Sequence, residues 1–228
     1  MKLNPNIKFY LVIGTENCAH HSLIDIIKMG ITHGVNIVQL REKNASTEEV
    51  VRIGKKIQPL LRRHNVPLII NDNLRAAKIS DADGVHVGQH DTAYQIARKY
   101  LGPNKIIGLS IENAAQAAAI KKYSDLDYIG IGPIFSTNTK KDAAKPLGIA
   151  RLKKIKNLIE RIPIYAIGGI NLNNIDDVMQ TGIQGAAIVS AICGAVDPTA
   201  VCATLNKKMI DFPDQAEDRP RSTDWAGE

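Results

Sequence analysis

Eight short apolar runs, each followed by a longer amphipathic stretch, recur along the 228-residue chain, and this alternation restricts the fold more than any other feature of the sequence. The strand candidates are Phe9–Ile13, Ile37–Leu40, Leu68–Ile70, Gly84–Val87, Ile106–Leu109, Tyr128–Ile131, Ile164–Ile167 and Ala186–Val189. Each is almost continuously apolar, as parallel strands covered on both faces require. Helical patterns follow at Ser22–His33, Thr47–His64, Leu74–Ser80, Ala93–Tyr100, Ala114–Lys122, Ile149–Glu160, Ile175–Thr181 and Pro198–Met209. Ser46 stands three residues before Glu49, the pattern of a hydroxyl cap with a reciprocal acid, and Asn113 and Asn173 precede helical patterns as caps. Strands alternating with helices predict a parallel sheet. An open doubly wound sheet is the alternative, but eight units in order suit closure. The expectation is an α/β protein, a single-domain (β/α)8 TIM barrel over residues 1–211, with a polar, aperiodic and disordered tail over 212–228.

Composition narrows the partners. The formal net charge is +6, yet much of it falls on predicted helices, at Lys55, Lys56, Arg62, Arg63, Lys153, Lys154 and Lys156. Aromatic residues make up 4% of the chain, too few to give a nucleic-acid surface its stacking platforms, so no nucleic-acid partner is expected. Small anionic substrates account for the charge equally well. No apolar run approaches bilayer length and Met1 to Pro5 lacks a leader's apolar stretch, so no membrane partner is expected. Cys18, Cys193 and Cys202 are odd in number and far apart, which fits a reducing, cytoplasmic setting.

The polar residues collect where the strands end. Strand 2 runs into Gln39, Leu40, Arg41, Glu42 and Lys43; strand 3 into Asn71 and Asp72; strand 4 into Gln89, His90 and Asp91; strand 5 into Ser110. The long connection after strand 6 carries Ser136, Thr137, Asn138, Thr139, Lys140 and Lys141, strand 7 ends in Gly168 and Gly169, and strand 8 in Val189 and Ser190. This is the C-terminal face of the barrel, where such folds place their chemistry. The opposite loops, such as 65–67 and 81–83, read as plain turns.

Asp72 and Asp91 follow adjacent strands about 5 Å apart, so both carboxylates can reach one hard cation, and Mg²⁺ is the fitting one. The competing reading makes each a helix cap. His86 reads as a satisfied core histidine and His90 as a loop residue. Alternation aims Arg41 and Lys43 the same way, which suits a diphosphate. The strand-6 loop reads as a lid and the Gly-Gly with Ser190 as a monophosphate site. A Mg-diphosphate half beside a monophosphate half describes an enzyme that joins two phosphorylated molecules and expels pyrophosphate.

At these residues the sequence resembles the thiamine-phosphate synthase family. The resemblance rests on Val38-Gln-Leu-Arg-Glu-Lys43, Ile70-Asn-Asp72, Gly84-Val-His-Val-Gly-Gln-His-Asp91, Ile107-Gly-Leu-Ser110, Tyr128-Ile-Gly-Ile-Gly-Pro-Ile-Phe135 with Thr137-Asn-Thr-Lys140, Ala166-Ile-Gly-Gly-Ile170 and Val189-Ser-Ala-Ile192. It implies a transferase coupling 4-amino-5-hydroxymethyl-2-methylpyrimidine diphosphate to 4-methyl-5-(2-hydroxyethyl)thiazole phosphate, with loss of pyrophosphate before the thiazole attacks. It also implies that Gln39 to Lys43, Asn71, Ser110 and Lys140 hold the pyrimidine diphosphate, with Arg41, Lys43, Ser110 and Lys140 catalytic, and that Asp72 and Asp91 hold Mg²⁺. Thr137, Asn138, Thr139, Gly168, Val189 and Ser190 would then hold the thiazole phosphate. Family analogy adds a homodimer. Ser136 and Asn138 stand where the family usually has proline, and His90 where it commonly has an acid, so a looser lid and weaker metal binding at low pH are expected. The rivals are a thiazole tautomerase on the same barrel and a non-catalytic thiamine-phosphate-binding protein.

Overall fold

The computed structural model describes residues 3–4, 7–89, 91–120, 123, 125–137, 139, 144–159 and 161–212. Its centre is a closed barrel of eight parallel strands in chain order: β1 (Phe9–Ile13), β2 (Ile37–Leu40), β3 (Leu68–Asn71), β4 (Gly84–Val87), β5 (Ile106–Ile111), β6 (Tyr128–Ile131), β7 (Ile164–Ile167) and β8 (Gly185–Ile188). The ring closes where β1 meets β8, with Phe9 opposite Ala186 and Leu11 opposite Ile188. The (β/α)8 expectation therefore holds, and the open sheet is excluded.

Helices α1 (Leu23–Thr32), α2 (Thr47–Arg63), α3 (Leu74–Ile79), α4 (Tyr94–Leu101), α5 (Ala114–Ala119), α6 (Gly148–Lys156), α7 (Ile175–Met179), α8 (Ser190–Cys193) and α9 (Pro198–Ile210) surround the sheet. Their starts follow from local chemistry. Ser46 Oγ accepts from the Glu49 amide at the head of α2, and Asn113 Oδ1 accepts from the Gln116 amide at the head of α5. Two expectations need correction. Asn174 rather than Asn173 begins α7, because Asn173 is used in a turn against Asn171. The one-turn helix α8 has too few residues to show a helical period, so the sequence reading passes over it. The last expected residues of the fifth and sixth helices, Lys122 and Glu160, lie outside the described residues.

Alternation along the strands sorts two cores. Leu11, Val38, Leu40, Leu68, Ile70 and Ile107 face the helices in the larger one. Tyr10, Val12, Ile37, Ile69, Ile106, Tyr128, Tyr165 and Ala187 fill the barrel interior. Phe212, placed at the head of the tail by the sequence, packs against the larger core, and its carbonyl accepts from Lys8 Nζ at 2.8 Å. Residues 213–228, the remainder of the expected tail, lie outside the described residues.

The end of the barrel away from the strand termini is stitched rather than plainly turned. Asn36 donates its amide to Phe9 O and accepts from Phe9 N; Asp83 does the same with Leu68, and Asp127 with Ile107. Each is the residue just before an even-numbered strand or its near neighbour, so one side chain locks one strand to the next at β1–β2, β3–β4 and β5–β6. Asp81, at the head of the turn read as plain, adopts φ +53° and pairs with Arg62 at 2.6 Å and Lys105 at 2.8 Å. Among the described residues, no helix is long and apolar enough to cross a membrane.

Candidate active site

A cavity of 320 Å³ opens at the C-terminal ends of the strands. It draws side chains from every strand or the loop that follows it. Along β2 the alternation works as expected: Gln39, Arg41 and Lys43 line the cavity. Leu40 and Glu42, also expected in the diphosphate site, turn their side chains elsewhere. Leu40 is fully buried in the core between sheet and helices. The Glu42 carboxylate instead accepts from the Thr15 amide at 2.7 Å and the Thr15 hydroxyl at 2.9 Å, tying the loop after β1 to the end of β2. Arg41, with its side chain 14% exposed, approaches Glu16 of that same loop at 3.9 Å.

The carboxylate pair forms by unusual backbone. Asp72 adopts φ +58°, a left-handed conformation that few side chains other than Asp and Asn accept readily. Its amide donates to His86 O at 2.8 Å, which fixes the bend, and Asn71 Nδ2 donates to its carboxylate at 2.6 Å. Neither aspartate caps a helix. Asn73 caps α3, accepting from the Ala76 amide, and Asp91 Oδ2 accepts from the Gly88 amide at 2.8 Å. A side chain at Gly88 would collide with that carboxylate. Burial, and after it the nearby charge and hydrogen bond of Asp91, push the Asp72 carboxyl up to about 6, against the opposing pull of Asn71 and Arg41. Two carboxylates that repel this way fit a hard cation, which takes oxygen donors and would relieve the repulsion. Among the described residues, no group of three or more His, Cys, Asp or Glu side chains could hold a metal. The protein's share of a Mg²⁺ shell would thus be these two carboxylates, the usual number where substrate phosphates and water supply the rest.

Thr137, Thr139, Gly168, Gly169, Val189 and Ser190 line the same cavity from the ends of the later strands. Gly168 and Gly169 adopt φ +99° and +66°, and a Cβ on either would strike the backbone of the connection after β6. Only glycine lets that connection lie close, with the Ile134 amide on Ile167 O and the Phe135 amide on Gly168 O. Ser190 opens α8, whose first amides have no carbonyl partner within the helix. His90, Asn138, Lys140 and Lys141 lie outside the described residues.

The floor was not anticipated. Tyr10, Tyr128 and Tyr165 meet edge to face with ring centroids 5.5 to 5.8 Å apart, and all three line the cavity. Gln89 and Glu112 also reach the lining; Gln89 Nε2 donates to Ser110 O at 2.6 Å. His86 is the interior histidine expected, with Nδ1 on the Tyr128 hydroxyl at 3.0 Å and Nε2 on the Ser110 hydroxyl at 2.9 Å. Burial drives its pKa down to about 4, so the ring is neutral. The missed residues carry a signal in the sequence: Tyr10, Tyr128 and Tyr165 sit within strands at positions whose parity faces inward, and a buried phenol needs a partner.

A family model described as thiamine monophosphate synthase matches residues 9–192. The chain is 41% identical over 203 residues to the thiamine-phosphate synthase of Clostridium novyi, covering 89% of this chain and 98% of that one. It is 45% identical over 180 residues to the thiamine-phosphate synthase of Chloroflexus aurantiacus, covering 79% and 82%. The thiamine phosphate pyrophosphorylase from Pyrococcus furiosus superposes with a TM-score of 0.82 at 31% identity, over 91% of this chain and 98% of that one.

Proposed function

The chain belongs to the thiamine monophosphate synthase family of transferases, and from that premise we propose that it couples 4-amino-5-hydroxymethyl-2-methylpyrimidine diphosphate to 4-methyl-5-(2-hydroxyethyl)thiazole phosphate, giving thiamine phosphate and pyrophosphate. One observation carries the reading: the cations Arg41 and Lys43, the carboxylates Asp72 and Asp91, and the glycines Gly168 and Gly169 all line one cavity. The two charged groups of such a reaction need separate cradles with the rings between them.

Arg41 and Lys43, joined by Lys140, hold the diphosphate and offset the charge that grows as the carbon–oxygen bond to the ring methylene breaks, its electron pair leaving with pyrophosphate. A Mg²⁺ held by Asp72 and Asp91 would neutralise further negative charge on the diphosphate. Asn71 orients the Asp72 carboxylate. Ser110 donates to a leaving oxygen. Gln39 holds the pyrimidine ring, whose amino group stabilises the developing cation, and the packed barrel interior beneath it excludes water that would capture that cation. Gly168, Val189 and Ser190, with Thr137, Asn138 and Thr139, hold the thiazole phosphate so that the ring nitrogen's lone pair forms the new carbon–nitrogen bond.

The test is formation of thiamine phosphate with an equal amount of pyrophosphate from the two substrates, with Mg²⁺ and with excess chelator. Product in both conditions would remove the metal from the reading. No product at saturating substrates and Mg²⁺ would sink the synthase reading and leave a thiazole tautomerase or a binding protein. Asp91→Ala is expected to lower turnover by about two orders of magnitude, far more than His90→Ala.

A further inference from the structure

Four hydrogen bonds run across the barrel interior in one unbroken chain. Gln39 Nε2 donates to the Tyr10 hydroxyl at 2.7 Å, and the Tyr10 and Tyr128 hydroxyls are 2.7 Å apart. The Tyr128 hydroxyl meets His86 Nδ1 at 3.0 Å, and His86 Nε2 meets the Ser110 hydroxyl at 2.9 Å. The chain thus starts on β2, crosses β1, β6 and β4, and ends on β5. Tyr10, Tyr128, Gln39 and His86 are 2%, 0%, 4% and 9% exposed, so no bulk water interrupts it. Gly108 makes the crossing possible: a Cβ there would overlap both the Tyr128 ring and His86 Nδ1.

Each internal member has one proton to give and must accept one, so the whole chain can point in only two directions. A diphosphate oxygen accepts and never donates. Ser110 must therefore turn its O–H outward to it and accept from His86 Nε2–H. His86 Nδ1 then accepts from Tyr128, Tyr128 from Tyr10, and Tyr10 from the Gln39 amide N–H. The Gln39 carbonyl is left over. Among the described residues Gln39 Oε1 has no hydrogen-bond partner, and Gln39 lines the cavity. It is presented as an acceptor, which suits a ring edge bearing an amino group and opposes one bearing a carbonyl.

We infer that Tyr10, Tyr128 and His86 are positioning residues that lock the Ser110 donor and the Gln39 acceptor together, so that diphosphate binding and selection of an amino-bearing ring are one coupled event. This rests on the proposed function for the identity of the two ligand groups. Cutting the chain at Tyr128 leaves the Tyr10 proton without its acceptor; the Gln39 amide can then flip to take it and show N–H groups to the ring.

The experiment compares Tyr10→Phe, Tyr128→Phe, their double variant and Tyr165→Phe. The last removes a phenol of the same floor whose hydroxyl donates to Ile7 O, outside the chain. The readouts are kcat/KM with the 4-amino and 4-oxo pyrimidine diphosphates, KM for the thiazole phosphate, and calorimetric affinity for inorganic pyrophosphate with Mg²⁺. Either chain variant is expected to lose about tenfold in amino-over-oxo preference and to bind pyrophosphate more weakly, with KM for the thiazole phosphate unchanged. The double variant should be no worse than the singles, since they break one chain, and Tyr165→Phe should keep the preference. Unchanged preference in Tyr128→Phe, additive losses, or an equal loss in Tyr165→Phe would overturn the inference. Should the wild-type protein release no pyrophosphate from either substrate, the proposed function fails separately. Pyrophosphate affinity then decides: a drop in both chain variants but not in Tyr165→Phe supports the chain, and no drop overturns it.

Discussion

Gly108 is the residue at which sequence, packing and chemistry meet. Its missing side chain is the space in which His86 and Tyr128 touch. Gly108→Ala forces a methyl group into two fully packed rings, and a cost of about 1–3 kcal/mol is expected from such overpacking. Thermal unfolding and turnover should fall together; a variant with wild-type melting temperature and wild-type ring preference would show that the space is not needed. Residues at strand ends were legible in the sequence because polar groups there have no packing reason to exist. That logic found Arg41, Lys43, Asp72, Asp91 and Ser110, which line one cavity. It did not itself ask for Leu40 and Glu42, which the family resemblance added and whose side chains, on the opposite parity, turn away from the cavity. It was blind to Tyr10, Tyr128 and Tyr165, because a tyrosine inside an apolar run passes as core until its hydroxyl is given a partner.

At the scale of elements, strands were read more surely than helices. Five of the eight strands match to the residue, since parallel strands buried on both faces show as uninterrupted apolar runs. Helix ends and the one-turn α8 depend on caps and contacts that no periodicity records, and the stitched rim depends on pairs far apart in sequence. That rim belongs to stability alone. Asp83 accepts from the Leu68 amide at 2.8 Å at the end of the barrel opposite the cavity. Asp83→Ala should cost about 1–3 kcal/mol, read as an earlier denaturant midpoint, with kcat and KM unchanged. A loss of turnover at full stability would mean that the two ends of the barrel communicate.

For the molecule as a whole, the acid–base behaviour of the core sets an alkaline limit. Burial pushes the Cys193 and Cys202 thiols up to about 12, and it raises the Tyr10 and Tyr128 phenols as well. These acids are kept neutral in the fold, so the stability they lend is complete below their unfolded pKa values. As pH rises past about 9 for the thiols, the unfolded chain releases protons that the native one retains, and stability falls until the native groups ionise near 12. Alkaline titration should show the thiolate absorbance of Cys193 and Cys202, followed in a Cys18→Ser background, appearing together with loss of helical circular dichroism. Ionisation well ahead of unfolding would contradict their burial. The end of the barrel at which the cavity opens was legible at this scale too, because it needs only the order of strands; its depth was not, because depth depends on which side chains meet across the middle.

Closure has one more consequence. Laid out flat, the strands that carry Tyr10 and Tyr128 would be five spacings apart, about 24 Å, whereas their oxygens lie 2.7 Å from each other. A ring turns that long walk along its circumference into a short chord. Residues that are remote along the chain and remote around the sheet become immediate neighbours, and the molecule can make a decision about one end of a substrate depend on what is held at the other.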